Sequence, residues 1–285
     1  MMLSQTVLQT ICRAALAEDV GSGDATTLAT IPADLEVCAW FRARGDCVCA
    51  GLPVVAAVFR ELDPAVELSA CVQEGAVCAA GATLARVEGP ARAVLTGERT
   101  ALNFLQRLCG IATLTRRYVE AVGGGRTAIL DTRKTVPGLR VLDKYAVRTG
   151  GGRNHRFGLY DRIMIKDNHR ELVRGRGPDP IARAVQAARS AYPQLEIEVE
   201  TDTLDEVAAA VAAAADTILL DNMSNDEIAA AVDLVRGRAA LEVSGGITLE
   251  RIPALAALGV DAVSVGALTH SVTAIDIGLD LEPSG

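Results

Sequence analysis

From Thr127 onward, short apolar runs alternate with helix-patterned segments, and this rhythm constrains the fold more than any other feature of the chain. The runs are TAILDT, RIMIKD, EIEVE, TILLDN, LEVSGG and AVSVGA; between them lie segments such as DPIARAVQAARSAY, LDEVAAAVAAA, NDEIAAAVDLV and LERIPALAAL. Short runs that are apolar throughout read as strands buried on both faces. Such strands need cover on both sides, so repeated βα units predict a parallel sheet wrapped in helices. No GxGxxG turn follows the first strand, which favours a barrel over a dinucleotide-binding fold. Eight strands are not visible. The prediction is an incomplete parallel α/β barrel of six or seven strands.

The first 110 residues follow a different pattern. Residues 4–17 read as a helix and EDVGSGDATT as a loop. LEVCAWFRAR and AVELSACV read as strands, with a helix, LPVVAAVFREL, between them. Gly75, Gly81 and Gly89 punctuate further short strands and turns. That pattern is like a lipoyl or biotinyl carrier, but those need a lysine and none precedes Lys134. A long helix is expected over about 91–122, broken near Cys109-Gly110. We therefore expect an α+β domain over 1–110 and the barrel over 111–270.

Composition narrows the function. Net charge is −8, which argues against a general nucleic-acid binder. No apolar run approaches the ~20 residues of a membrane helix, and the N-terminus has no basic segment of a signal peptide. The seven cysteines match no zinc-ligand spacing and read as reduced thiols of a cytoplasmic protein. All three lysines, Lys134, Lys144 and Lys166, lie between residues 126 and 176. That stretch also holds ten arginines and five acids, so its charge is +8 (13 minus 5) and the remainder carries −16. A basic island in an acidic chain suggests an anionic ligand; the plainer alternative is a solvated basic face.

The strand ends sharpen this. In α/β barrels the chemistry gathers where the strands' C-terminal ends converge. Here they carry Asp131, Arg133 and Lys134; Lys166, Asp167 and Asn168; Glu198 and Glu200; Asp221 and Asn222; Ser244, Gly245 and Gly246; then Gly266 and Ala267. Arg133, Lys134, Arg156 and Lys166 suit anions, arginine as a planar fork and lysine as a point charge. Glu200 and Asp221 suit Mg²⁺ or, alternatively, ion pairs with the bases nearby. Glu198 shares the face of Glu200 and could join it. The VSGGIT turn, completed by VGA, presents backbone N–H groups to a phosphate. With three histidines and no Ser-His-Asp order, hydrolytic and hydride-transfer chemistry are disfavoured. A Schiff-base aldolase using Lys166 and a non-catalytic phosphate-binding barrel remain open.

LTGERTALNFLQRLCGIATLT, DTRKTVPGLRVLDKYAVRTGGGRNHRFGLYD, IKDNH, LLDNM, SGGI and VGALTHS together resemble the quinolinate phosphoribosyltransferase family over nearly the whole chain. The resemblance implies a sandwich-like N-terminal α+β domain, to which residues 271–285 return, followed by the incomplete barrel. It implies a homodimer with a shared site, and Mg²⁺-dependent joining of quinolinate to phosphoribosyl pyrophosphate. The products would be nicotinate mononucleotide, pyrophosphate and CO₂, a step of NAD synthesis. A sister enzyme acting on nicotinate or another base without decarboxylation is the alternative within the same architecture. By motif, Thr132, Arg133, Lys134, His155 and Arg156 meet quinolinate, joined by Arg99 of the partner subunit. Lys166 sits between the two substrates, and Lys134, Lys166, Glu200 and Asp221 form the catalytic set. Glu200 and Asp221 face ribose and metal, Glu200 being preferred over Glu198. Ser244, Gly245, Gly246, Gly266 and Ala267 hold the 5′-phosphate. His270 reads as a packing or helix-terminal residue. The three glycines of TGGGRNHR read as a flexible turn that delivers His155 and Arg156 to the site.

Overall fold

The computed structural model describes residues 3–173 and 179–281, so Arg174 and Arg176 of the basic island lie outside the described residues. The chain divides into two compact units. One takes the residues up to Arg116, the segment Thr135–Gly151 and everything from Ala267 onward; the other takes Arg117–Lys134 and Gly152–Gly266.

In the first unit the strands are β1 (Glu36–Ala43), β2 (Cys47–Val48), β3 (Glu67–Ala70), β4 (Val77–Cys78) and β5 (Thr83–Pro90). β1, β5 and β3 join the C-terminal strand Ile277–Leu281 in an antiparallel sheet, with β1 in the interior between β5 and that strand. β2 and β4 pair separately. Alternation along β1 buries Ala39, Phe41 and Ala43 on one face. Phe41 packs tilted against Phe59 of helix Leu52–Leu62, with ring centroids 6.2 Å apart. Burying a ring of this size contributes on the order of 2–3 kcal/mol.

Four local expectations need correction. The first helix runs Gln5–Val20, and the predicted loop contains a second helix, Ala25–Thr30. Asp24 caps it by accepting the Thr27 N–H at 3.0 Å, so the aspartate of GDATT is a helix start. The long helix, Ala91–Ala121, is unbroken. Gly110 does not end it. A Cβ there would lie 2.3 Å from the Thr273 carbonyl oxygen, so the glycine lets the returning chain approach. In TGGGRNHR, similarly, a Cβ on Gly150 would lie 2.4 Å from the Ala112 carbonyl oxygen. This glycine serves tight packing, not flexibility.

Arg107 draws the three segments of this unit together. Its guanidinium pairs with Asp143 at 2.9 Å and donates to the Thr269 carbonyl at 3.0 Å. Asp143 is fully buried, so its charge depends on this partner.

In the second unit the described residues form six parallel strands: β6 (Ala128–Leu130), β7 (Ile163–Ile165), β8 (Ile197–Thr201), β9 (Thr217–Asp221), β10 (Ala240–Ser244) and β11 (Ala262–Ser264). Their order, β6-β11-β10-β9-β8-β7, leaves β6 and β7 as the edges, with a single bridge from Leu130 to Arg153 beyond β6. This is the expected incomplete barrel, at six strands. Helices Pro180–Ala191, Leu204–Ala212, Asn225–Val235 and Ile252–Ala257 connect and cover the strands. Asp179, Thr203 and Ser224 cap the first three, Ser224 in a reciprocal capping box with Glu227. Since every strand points the same way, their C-terminal residues gather at one end.

Replacing Arg107 with Ala should lower unfolding free energy by about 3–5 kcal/mol, because it strands the buried Asp143 charge. A thermal melt shows this as a loss of many degrees; an unchanged melt would contradict the three-segment tie.

Candidate active site

The strand register sets the layers of the site. Glu200 on β8 and Glu242 on β10 both pair with Leu219 of β9, and Asp221 pairs with Ser244 one layer further out. Side chains two apart share a face, so Glu198 lies one layer deeper than Glu200. Together with Thr132, Arg133, Lys134, His155, Arg156, Met164, Lys166 and Ser264, the residues of the two outer layers line a cavity of about 430 Å³.

Nine of the residues proposed from sequence therefore border one cavity: Thr132, Arg133, Lys134, His155, Arg156, Lys166, Glu200, Asp221 and Ser244. Gly245 and Gly246 follow directly in the turn after β10, and Gly266 lies two residues past β11. Ala267 opens helix Ala267–His270, which groups with the first unit. Arg99 is exposed on the long helix and does not line this cavity. His270 is exposed at the end of its short helix, with Nδ1 2.6 Å from Ser271 Oγ. Lys144 is fully buried in the first unit, so the basic island is not one surface.

The cations are crowded. Arg156 is half-buried, and both burial and the neighbouring Arg133 push its proton affinity down. Among the described residues its guanidinium donates to the Arg162 carbonyl at 3.4 Å and to Met164 Sδ at 3.5 Å. Past the end of β7, Lys166 Nζ pairs with Glu200 Oε2 at 2.5 Å. Burial raises the pKa of Asp221, and the Glu200 carboxylate adds to this, while Lys166 and Lys134 oppose it. Two carboxylates in mutual repulsion, with only oxygen donors, fit a hard divalent cation that also takes substrate oxygens.

Asp221 is held by its neighbour. Asn222 Nδ2 donates to Asp221 Oδ2 at 2.7 Å, and Asn222 N–H donates to the Ser244 carbonyl at 3.1 Å. Asn222 adopts a left-handed conformation (φ 56°) that brings its side chain against Gly245. A Cβ on Gly245 would fall 2.2 Å from Asn222 Oδ1. The second letter of SGG is thus dictated by the DN pair one strand away.

His155 is the other buried centre. Its ring is 4% exposed, with Nε2 3.0 Å from Glu198 Oε2 and 3.4 Å from Glu242 Oε2. Burial disfavours a charged ring, but the two carboxylates outweigh it and raise the pKa to about 9. Nδ1 already accepts the Arg156 N–H at 2.6 Å, so the extra proton belongs to the cluster and not to one ring atom. His155, Glu198 and Glu242 are spaced closely enough to hold a metal ion. A metal on Nε2, however, would require Nδ1 to donate, and it accepts. Glu198 therefore belongs to the interior of the barrel and Glu200 to the cavity.

Comparison with known proteins agrees with this geometry. Family models described as the quinolinate phosphoribosyl transferase C-terminal and N-terminal domains match residues 111–280 and 24–109. The chain belongs to the quinolinate phosphoribosyltransferase family. It is 43% identical to a probable carboxylating nicotinate-nucleotide pyrophosphorylase of Bacillus subtilis, over 93% of this chain and 90% of that protein. It is 41% identical to the chloroplastic carboxylating nicotinate-nucleotide pyrophosphorylase of Arabidopsis thaliana, covering 96% and 83% of the two chains. The crystal structure of NadC from Streptococcus pyogenes superposes with a TM-score of 0.93 at 40% identity, covering 99% of each chain.

Sequence reasoning missed four cavity residues of this quinolinate phosphoribosyltransferase-family chain: Met164, Leu219, Glu242 and Ser264. Glu242 carried a signal. It stands two places before Ser244 in an otherwise apolar strand, as Glu198 stands two places before Glu200. The other three are indistinguishable from core until the register is known.

A folded-state pKa near 9 for His155, above its ordinary 6.5, gives stability that is full below pH 6.5 and is lost as pH rises toward 9. The melting-temperature gap between wild type and His155→Gln should accordingly shrink between about pH 6 and about pH 9.5. A gap that stays constant contradicts the charged cluster.

Proposed function

We propose that this protein transfers the phosphoribosyl group of phosphoribosyl pyrophosphate to quinolinate and releases CO₂, giving nicotinate mononucleotide and pyrophosphate for NAD synthesis. The observation that carries the reading is that Arg133 and the half-buried Arg156 border one cavity, each offering a guanidinium to a ligand with two carboxylates. The kinship of the chain supports the same assignment.

In this reading Arg133 and Arg156 take the carboxylates as planar forks, and His155 forms the wall behind them. Lys134 and Lys166 face the charge shared by both substrates. The N–H groups of Ser244 to Gly246, with Gly266 and Ala267, hold the 5′-phosphate. So placed, the pyridine nitrogen attacks ribose C1 as pyrophosphate leaves, and positive charge develops on the sugar. Glu200 and Asp221 stabilise that charge, which is an electrostatic contribution with no covalent enzyme intermediate. The quaternised ring nitrogen then stabilises the electron pair left on the adjacent ring carbon as its carboxylate departs as CO₂, and that carbon takes a proton from solvent. Glu200 and Asp221 would also hold Mg²⁺, which when bound supplies positive charge for the leaving pyrophosphate oxygens. Lys166 Nζ is held by the Glu200 carboxylate, which disfavours a Schiff-base role.

We further infer a homodimer in which Arg99 of the partner subunit completes the quinolinate end; the exposure of this arginine on the long helix supports it. Among the described residues no helix is long and apolar enough to cross a membrane. All seven cysteines are free thiols, which supports a reducing compartment such as the cytoplasm.

Carboxyl-labelled quinolinate should release labelled CO₂ only when phosphoribosyl pyrophosphate is present; transfer to nicotinate without CO₂ release would sink this reading in favour of a sister enzyme. Arg156→Ala should raise the quinolinate KM by about a hundredfold, the scale of a lost charge-assisted bidentate contact. Its melting temperature should stay within a few degrees of wild type, and a loss of folding instead would make Arg156 structural.

A further inference from the structure

Glu242 has no part in the chemistry above, yet it is 1% exposed in the barrel interior and borders the cavity. At that depth an apolar side chain would avoid the cost of desolvating a carboxylate. What the carboxylate does is visible in its contacts. Glu242 Oε2 lies 3.4 Å from His155 Nε2, and Glu198 Oε2 lies 3.0 Å from the same atom. Glu198 comes from β8 and Glu242 from β10, so the two reach the ring from the strands flanking β9. The ring's other nitrogen accepts the backbone N–H of Arg156 at 2.6 Å. One residue earlier the chain is fixed as well: buried Asp131 accepts the His155 N–H at 2.9 Å and Asn154 Nδ2 at 2.6 Å.

The ring thus accepts at Nδ1 the N–H of the peptide group that carries Arg156, and its Nε2 faces the two carboxylates at ion-pair distance. A guanidinium fork is sensitive to its angle, because a bidentate contact needs both N–H groups aligned. Resting on the assignment of this cavity to quinolinate, we propose that Glu242 is a positioning residue which, opposite Glu198, sets the His155 ring and through it the Arg156 fork. The same strand continues to Ser244, so β10 serves the carboxylate end from its interior and the phosphate end from its tip.

The test is a double-mutant cycle in steady-state kinetics, with wild type, Glu242→Gln, His155→Gln and the double variant. Glu242→Gln should raise the quinolinate KM about tenfold or more, as loss of a buried charged contact does. The KM for phosphoribosyl pyrophosphate should stay within about twofold and kcat within about threefold of wild type, because neither depends on the fork. In the double variant the quinolinate KM should be no worse than in His155→Gln alone, since the path runs through the ring. Glu242→Asp, which keeps the charge, should recover part of the loss. Additive KM effects, or equal effects on both substrates, overturn the proposal. Should Glu242→Gln not fold, Glu198→Gln removes the other carboxylate facing the ring and must show the same split and the same non-additivity. A wild type that does not turn over quinolinate overturns the substrate assignment and this proposal together; an active wild type with additive variants overturns this proposal alone.

Discussion

The end of the barrel depends on one electrostatic arrangement: guanidinium groups crowded together over buried carboxylates. Arg156 and Arg133 repel each other in the cavity wall, while Glu198 and Glu242 lie deeper and face His155. Neither layer is stable alone. The carboxylates need cationic neighbours to remain in the interior, and the cations need a fixed frame to stay close without a ligand. The parallel sheet provides that frame because its register brings Glu200, Leu219 and Glu242 to one level, with Asp221 and Ser244 above them.

The second half of the site uses backbone shape instead of charge. Asn222 adopts a left-handed conformation, ties Asp221 by its side chain, and fills the space where Gly245 would carry a Cβ. The acidic strand end and the phosphate turn are therefore one piece. Strain of this kind is kept where geometry matters to function. The first unit is held by another means, the Arg107 contact with Asp143 and the Thr269 carbonyl, supported by close approach at Gly110.

Much of this was legible in the sequence because buried parallel strands leave long-lived patterns. All six apolar runs after Thr127 became strands, and the polar residues at their ends gathered where a barrel gathers them. What escaped were features set by tertiary contact. Gly110 looks like a helix breaker, but its role is defined by Thr273, over 160 residues away. Asp24 looks like loop, but its carboxylate caps a six-residue helix. Glu198 and Glu200 are equivalent by alternation; the motif resemblance favours Glu200 for the site, but the partners themselves, His155 for Glu198 and Lys166 for Glu200, were not legible. Met164 and Leu219 read as core because apolar cavity walls and cores share a composition.

The central claim is that the crowded cations are built for two carboxylates, and equilibrium binding tests it most directly. Calorimetric titration of quinolinate and of nicotinate into the same protein compares ligands that differ by one carboxylate. Quinolinate should bind about a hundredfold more tightly, the scale of one extra charge-assisted contact, and its advantage should persist at raised salt because the site is partly buried. Equal affinities for the two ligands would contradict the account.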